Sequence, residues 1–376
     1  MAPQAKVQCF AAKDKKGKLE RCEYEPLPLQ AGDIGTMDLH VVEWISGCVL
    51  CYAKRGQPFW KAVLTFFLAS AEIKVTHNGL CHSDVHVMRE EWGPCKYPMV
   101  PGHEIVGVVE QLGSSVTHLK KGDTVGFGWF KDCCQHCDAC ITGNDNICPE
   151  GAATIMGGGK NTGGFAERFR GSGNLAVKIP DNMSPADAAP LLCAGITVWS
   201  PIRKYVTKPG MKVGVVGLGG LGHLAIQFLA KAVGAEVFAI SHSPNKREEA
   251  MKLGATHFVG LEDIKDNTLD VVLNTTPGGM DAKKLLSKVG YNGALVYLGG
   301  GTDTIKIVAF DLIPAQKQVV GSCVGGRALM REMFQLASLH DIKPIVDKMP
   351  LDKCNEAVDR LMGGEARYRS ALGLTG

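Results

Sequence analysis

No internal repeat and no low-complexity tract interrupts this sequence, which excludes solenoid and fibrous architectures. No segment approaches the length of a membrane span. The formal net charge is only +3, too small a field to argue for nucleic acid or a membrane surface as partner. The opening stretch, MAPQAKVQCFAAKDKKGKLE, lacks an apolar core of signal-peptide length, so a cytoplasmic location is expected. What is present is a soluble globular balance, 45% hydrophobic and 21% charged residues. At 376 residues the chain is too long for one ordinary core, and two domains are expected. Fourteen cysteines without a signal sequence fit a reducing compartment, where they bind metals or sit in cores as thiols.

Four of those cysteines stand at Cys134, Cys137, Cys140 and Cys148, spaced C-x2-C-x2-C-x7-C. Four thiolates can close a tetrahedral shell around Zn²⁺ and leave no position open for chemistry, so this site reads as structural. The loop around it, KDCCQHCDACITGNDNICPEG, is too polar to build its own core. Reduced, unpaired thiols are the plainer alternative, and the spacing disfavours them. Cys133 falls outside the three-residue step and reads as a spare.

A second motif begins at Met211, where an apolar strand runs into Gly217-Leu218-Gly219-Gly220-Leu221-Gly222 and then a helical pattern from His223 to Val233. This is G-x-G-x-x-G in strand–turn–helix context. Gly217 permits the tight turn, Gly219 lets the backbone approach a pyrophosphate, and Gly222 lets helix and strand pack closely. A second strand, Glu236 to Ile240, follows at the right distance for a dinucleotide site. The acid that an NAD site places after that strand is missing. Ser241, Ser243, Lys246 and Arg247 stand there instead. Hydroxyls and two cations suit a 2′-phosphate, which points to NADP(H). The plain alternative is a solvated start to a helix over Lys246 to Leu253; a cation in the first turn opposes the helix dipole and favours the phosphate reading.

Upstream lie Gly79-Leu80-Cys81-His82-Ser83-Asp84-Val85-His86 and Pro101-Gly102-His103-Glu104, and later Leu192-Cys193-Ala194-Gly195-Ile196-Thr197. Singly, each Cys or His is more often a core thiol or a satisfied imidazole. Together, Cys81, His103 and Cys193 form a Cys2His set, able to hold zinc with a fourth position open.

The order G-x-C-H-S-D, P-G-H-E, four-cysteine loop, C-A-G-x-T and G-L-G-G-L-G resembles the zinc-dependent medium-chain alcohol dehydrogenases. Within them it is similar to the cinnamyl-alcohol-dehydrogenase branch of NADP-dependent aldehyde reductases, over about Ala5 to Leu374. The resemblance implies two zinc ions per chain, NADP(H), a small-molecule aldehyde or alcohol substrate and a homodimer. It implies that Cys81, His103 and Cys193 ligate the catalytic zinc, with Glu104 an acid able to approach the metal. Asp84 would orient His103. Ser83 would hold the proton of the substrate oxygen and pass it towards His86 and solvent. His82 would approach the pyrophosphate. Thr197, Thr275, Gly299, Ser322 and Val324 would complete the cofactor contacts, with Gly217 to Gly222 and the cations above. Zinc would act as Lewis acid and NADPH as hydride donor.

Two departures matter. Members with a lignin role carry a Trp a few residues after the fourth loop cysteine; here Pro149-Glu150-Gly151-Ala152-Ala153 has no aromatic, and Cys323 replaces a second one. A broad aldehyde specificity is expected, with Trp92 and Trp129 as candidate pocket walls. Gly35 to Ala71 is an apparent insertion between Asp33-Ile34 and Glu72-Ile73-Lys74-Val75. Its irregular apolar pattern, ending in Phe66-Phe67-Leu68-Ala69-Ser70, reads as a translated, unspliced intron; a docking or membrane-touching helix around Lys61 to Ala71 is the competing reading. Its Cys48-x-x-Cys51 pair has no partner ligands and carries no metal assignment.

The expected fold class is α/β: a β-rich GroES-like catalytic domain over 1–192 and 326–376, and a Rossmann doubly wound NADP-binding domain over 193–325. Two other functions stay open, an NAD-dependent polyol-type dehydrogenase and a non-catalytic zinc- and dinucleotide-binding protein.

Overall fold

Short β-branched runs broken by glycine and proline give the N-terminal part its strands. They are β1 (Val7–Ala12), β2 (Leu19–Tyr24), β3 (Ser70–Leu80), β4 (Glu104–Leu112), β5 (Thr124–Phe127), β6 (Phe130–Asp132), β7 (Ala152–Ala153), β8 (Arg168–Ser172) and β9 (Val177–Lys178). The computed structural model describes residues 6–25, 68–156, 162–301 and 304–374. Further on come β10 (Lys212–Val216), β11 (Glu236–Ile240), β12 (His257–Val259), β13 (Leu269–Asn274), β14 (Val289–Tyr297), β15 (Gln318–Gly321), β16 (Val346–Pro350) and β17 (Arg369–Gly373).

The chain divides into two units. The first comprises Met1–Cys193, Gly326–Arg331 and Val346–Gly376, and the second Ala194–Gly325 and Glu332–Ile345. The helix Arg327–Leu339 therefore contributes to both, whereas the sequence reading places all of 326–376 with the first. Cys193, expected at the start of the second domain, is grouped with the first unit.

In the first unit a seven-stranded sheet runs β16-β17-β3-β4-β5-β9, with β8 also pairing β3. β3 and β4 pair antiparallel over Ala71–Leu112 to Gly79–Glu104. Their inward side chains, Ile73, Val75, Ile105 and Val109, pack with Val125, Phe127 and Phe169 into one apolar cluster. That burial is what holds the ends of β3 and β4, and so Cys81 and His103, in fixed positions. β1 and β2 form a separate hairpin in which Cys9 and Cys22 face each other and are joined by a disulfide. This corrects the expectation that every cysteine serves a metal or remains a thiol.

The second unit carries a six-stranded parallel sheet in the order β12-β11-β10-β13-β14-β15. The sheet runs one way from β10 to β12 and the other way from β13 to β15. The strand order thus reverses at β10, the place where open α/β sheets bind ligands.

The intron reading of Gly35 to Ala71, Trp44, Trp60 and the Cys48–Cys51 pair lies almost wholly outside the described residues. At its far end Ser70 and Ala71 belong to β3, both buried, so the strand begins two residues before the expected Glu72. Leu68 and Ala69, just before the strand, are helical, and the rest of the competing helix around Lys61 to Ala71 lies outside the described residues.

Candidate functional site

Cys81 directly follows β3 and caps the helix His82–Met88, while His103 directly precedes β4, which Glu104 opens. Cys193 lies in the π-helical stretch Leu191–Gly195, which follows the helix Pro185–Pro190. Folding brings one donor atom from each of Cys81, His103, Glu104 and Cys193 within 4.8 Å of one another. His103, Glu104 and Cys193 are buried and Cys81 is half-buried.

Asp84 holds this arrangement from one side chain. One carboxylate oxygen accepts from His103 Nδ1 and from the Gly102 backbone N–H, each at 2.9 Å, and the other accepts from the Cys81 N–H at 2.9 Å. The imidazole is thereby fixed with Nδ1 protonated, and Nε2, buried and without a partner, faces the cluster. Gly102 makes this possible: it sits at φ +103°, and a Cβ there would meet Asn78 Nδ2 at 1.8 Å. Two thiols, an orphaned imidazole nitrogen and a carboxylate are a donor set that fits Zn²⁺.

The hydrogen bond from Cys193, with the field of Arg369, holds the Cys81 thiol well below its ordinary range, while the same bond holds Cys193 well above it. Burial raises Glu104 to about 7 against the opposing pull of Arg369. Arg369, on β17, donates to Glu104 inside the fold. Sequence reasoning missed Arg369, Asn78 and Glu91. Arg369 carries no local signal within its stretch Tyr368-Arg369-Ser370 and reaches Glu104 only through the sheet. Asn78 Oδ1 accepts the Glu104 N–H at 3.2 Å.

Ser83 Oγ lies 3.6 Å from Cys81 Sγ. His86 is half-buried, pairs through Nδ1 with Glu91, and stacks on Trp92 at 4.8 Å between ring centroids. Trp129 meets His103 edge-on at 5.0 Å and Trp92 at 6.4 Å, so both tryptophans stand beside the predicted site residues. His82 is exposed at the first position of its helix.

The second cluster is local. Cys134, Cys137, Cys140 and Cys148 bring their sulfurs within 4.8 Å of one another, and the Cys134 sulfur accepts the Cys137 N–H at 3.3 Å. Cys137 N-caps the short helix Asp138–Ile141 that presents Cys140. Cys133 packs against the cluster without belonging to the set, and burial pushes its thiol to about 11.

In the second unit the glycine-rich loop leaves β10. Gly217 sits at φ +90°, and a Cβ on Gly222 would meet its carbonyl oxygen at 2.0 Å. The helix starts at Gly222 as α and continues as π from Phe228 to Val233. Gly219 has nothing within 4 Å of where a Cβ would be, leaving its face of the loop open. Thr275 Oγ1 donates to the Val216 carbonyl at 2.8 Å, and Ser322 N–H to the Tyr297 carbonyl at 3.1 Å. Thr197 is buried in the helix Ile196–Tyr205, Gly299 follows β14, and Val324 is buried. Ser241 Oγ accepts the Ser243 N–H at 3.2 Å beyond β11. The two cations diverge. Lys246 Nζ donates to the Leu218 carbonyl of the glycine-rich loop at 2.9 Å, whereas Arg247 donates to the Phe258 carbonyl at 3.1 Å and lies over the Phe258 ring. The helix begins at Arg247, and Lys246 closes a 3-10 turn before it.

With the geometry described, its likenesses can be stated. Residues 69–181 match the family described as "Alcohol dehydrogenase GroES-like domain", and residues 220–338 the one described as "Zinc-binding dehydrogenase". A probable mannitol dehydrogenase of Mesembryanthemum crystallinum is 40% identical over 310 residues, covering 80% of this chain and 86% of that protein. Among solved structures, a cinnamyl alcohol dehydrogenase of Sorghum bicolor superposes with TM-score 0.83 at 34% identity, over 98% of both chains. A second, from Helicobacter pylori and complexed with NADP(H), gives 0.82 at 27% identity, again over 98% of both. The chain belongs to the zinc-dependent medium-chain alcohol dehydrogenase family, in its cinnamyl-alcohol-dehydrogenase-like branch.

Proposed function

We propose that this protein interconverts aldehydes and primary alcohols with NADP(H), using one catalytic and one structural zinc ion. The convergence of Cys81, His103 and Cys193, with Glu104, carries this reading. When bound, zinc supplies Lewis acidity towards a carbonyl oxygen and NADP(H) gives or takes hydride. Cys81, His103 and Cys193 hold the metal and Glu104 stands by as an exchange ligand. Asp84 keeps His103 in the correct tautomer. Ser83 holds the proton of the substrate oxygen. His86 exchanges it with solvent through Nε2, because Nδ1 is engaged by Glu91. Cys134, Cys137, Cys140 and Cys148 clip the loop.

The first unit is the catalytic domain and the second the nucleotide domain in this reading. The glycine-rich loop takes the pyrophosphate, with His82, Thr197, Thr275, Gly299, Ser322 and Val324 around the rest of the cofactor. Ser241, Ser243 and Lys246 take the 2′-phosphate; Arg247 joins them by leaving the Phe258 carbonyl. The absence of an aromatic between Pro149 and Ala153 favours broad aldehyde specificity.

A homodimer is part of the same proposal. β15 is the outer strand of the parallel sheet, and just before it Val308, Phe310 and Ile313 are exposed at 59%, 79% and 67%. Phe310→Asp should shift the sedimentation coefficient towards that of a single chain. Among the described residues no helix is long and apolar enough to cross a membrane. We place the protein in the cytoplasm because ten described cysteines are thiols, with the Cys9–Cys22 pair as the exception.

The test is oxidation of NADPH and of NADH over aliphatic and aromatic aldehydes, with mannitol and NAD(P)⁺ in the reverse direction, alongside metal analysis. Lys246→Ala should weaken NADPH about tenfold or more, the range for a lost charged hydrogen bond, and leave NADH nearly unchanged. A fully metallated protein that turns over no aldehyde, or that prefers NADH, would overturn the reading.

A further inference from the structure

A third donor set shares a residue with the four-cysteine cluster. One ligand atom each from Cys134, His136 and Glu150 lies within 4.8 Å of the others. The three form a gradient from solvent inward: His136 is exposed, Glu150 half-buried and Cys134 buried. His136 Nδ1 lies 2.7 Å from the Cys134 carbonyl oxygen. A carbonyl only accepts, so Nδ1 carries the hydrogen and Nε2 carries the lone pair, the state in which imidazole ligates metals.

We infer that Cys134, His136 and Glu150 form a loading port for the four-cysteine site, taking a first-row divalent metal, zinc above all. The inference rests on the structural-zinc reading given above. One thiolate, one imidazole and one carboxylate hold a tetrahedral ion with its fourth position left to water, a set that suits zinc and cobalt. Cys134 stays bound throughout. Its sulfur is 3.9 Å from that of Cys140, and the Cys137 and Cys148 sulfurs are also 3.9 Å apart, so the thiols that complete the shell are already gathered. Cys137, Cys140 and Cys148 each release a proton to water as they bind, while water, His136 and Glu150 depart. Cys134, Cys140 and Cys148 are buried and Cys137 is half-buried, so most of the cage is shielded from a hydrated ion that arrives directly.

The test uses the zinc-loaded full-length protein challenged with Co²⁺, following the absorption of the tetrathiolate–cobalt centre and, in the same sample, the centre with two thiolates and one imidazole. His136→Asn retains a donor for the Cys134 carbonyl but removes the ligating nitrogen, and Glu150→Gln removes the carboxylate. Each should slow cobalt uptake at the four cysteines by about tenfold, without changing the end point or the exchange rate at the Cys2His centre. His136→Cys restores a ligand and should restore the rate. Unaltered uptake in His136→Asn and Glu150→Gln at full zinc content overturns the port alone, as does equal slowing at both centres. Slowing by His136→Ala but not by His136→Asn assigns the effect to the hydrogen bond and also overturns it. A chain that folds with no metal on the four cysteines overturns the structural-zinc reading and this inference together.

Discussion

The Cys81–His103–Cys193 cluster and the Cys134–Cys148 cluster are built in opposite ways. The first collects its donors from the end of β3, the start of β4 and a π-helical stretch 90 residues beyond His103, and lies among buried charges. The second takes all four sulfurs from one polar loop, and its surroundings are mostly backbone N–H groups and the other sulfurs. One depends on the sheet to exist, while the other gives a loop the order it cannot supply for itself. A fold-assembled site keeps a position open because no short loop dictates its fourth ligand. A loop-assembled site fills its shell.

The sharpest way to break this comparison is to remove one donor from each cluster. Cys81→Ser should abolish aldehyde reduction while NADPH binding, followed by fluorescence, and the metal on the four cysteines persist. Cys137→Ser should instead lower folding yield and thermal stability, because a structural zinc supplies on the order of 10 kcal/mol of folding free energy. Equal loss of NADPH binding in both variants would show that the two clusters are not separate in kind.

How legible each cluster was in the sequence follows from the same contrast. The four-cysteine spacing and the glycine-rich loop are local, so their residue spacing alone announced their geometry. Strands β10 and β11 were readable because each is an apolar run bounded by turn residues. The Cys2His set needed three motifs to be joined across the chain. Arg369 was out of reach, since it stands 265 residues from Glu104 and meets it only because β17 pairs with β3, and β3 with β4. The Cys9–Cys22 pair was equally hidden: its register comes from the hairpin, while the composition spoke for thiols. Lys246 and Arg247 look equivalent as neighbours, yet the 3-10 turn sends one to the glycine-rich loop and the other to β12.

The buried Glu104–Arg369 pair offers a smaller effect with a sign. Removing one partner of a buried ion pair costs about 3–5 kcal/mol. The two partners should not be equal here. Glu104→Leu strands a guanidinium that cannot give up its proton. Arg369→Met leaves a carboxyl that burial already raises to about 7, so it can take up a proton and lose its charge. Glu104→Leu is therefore expected to be the more damaging in chemical denaturation at neutral pH. In Arg369→Met the folded-state carboxyl pKa lies above its unfolded value, so the folded chain binds the extra proton. Its stability should be highest at low pH within the folding range and fall between about pH 5 and pH 8. Glu104→Leu, with no such carboxyl, should lack that slope.

Asp84 gives the smallest expected change and the finest probe of the comparison, because nothing plays its role around the four cysteines. Its two oxygens serve His103, Gly102 and Cys81 at once, each at 2.9 Å. Asp84→Asn keeps the volume and one acceptor oxygen, so the strands and their apolar cluster are retained. It replaces the other oxygen with a donor. Whichever way the amide turns, either the Cys81 N–H or the His103 and Gly102 N–H groups then face an N–H instead of a lone pair. If it turns its NH₂ towards His103, the ring is driven to the Nε2–H tautomer, and the nitrogen that faces the cluster loses its lone pair. Loss of such a partner typically costs 10- to 100-fold in metal affinity. Competition with a chelator should therefore strip the catalytic metal from Asp84→Asn about 10- to 100-fold more readily, while the four-cysteine metal is released as in the wild type. Unchanged release of both would mean that the sheet alone, without the carboxylate, holds His103 and Cys81 in ligating position.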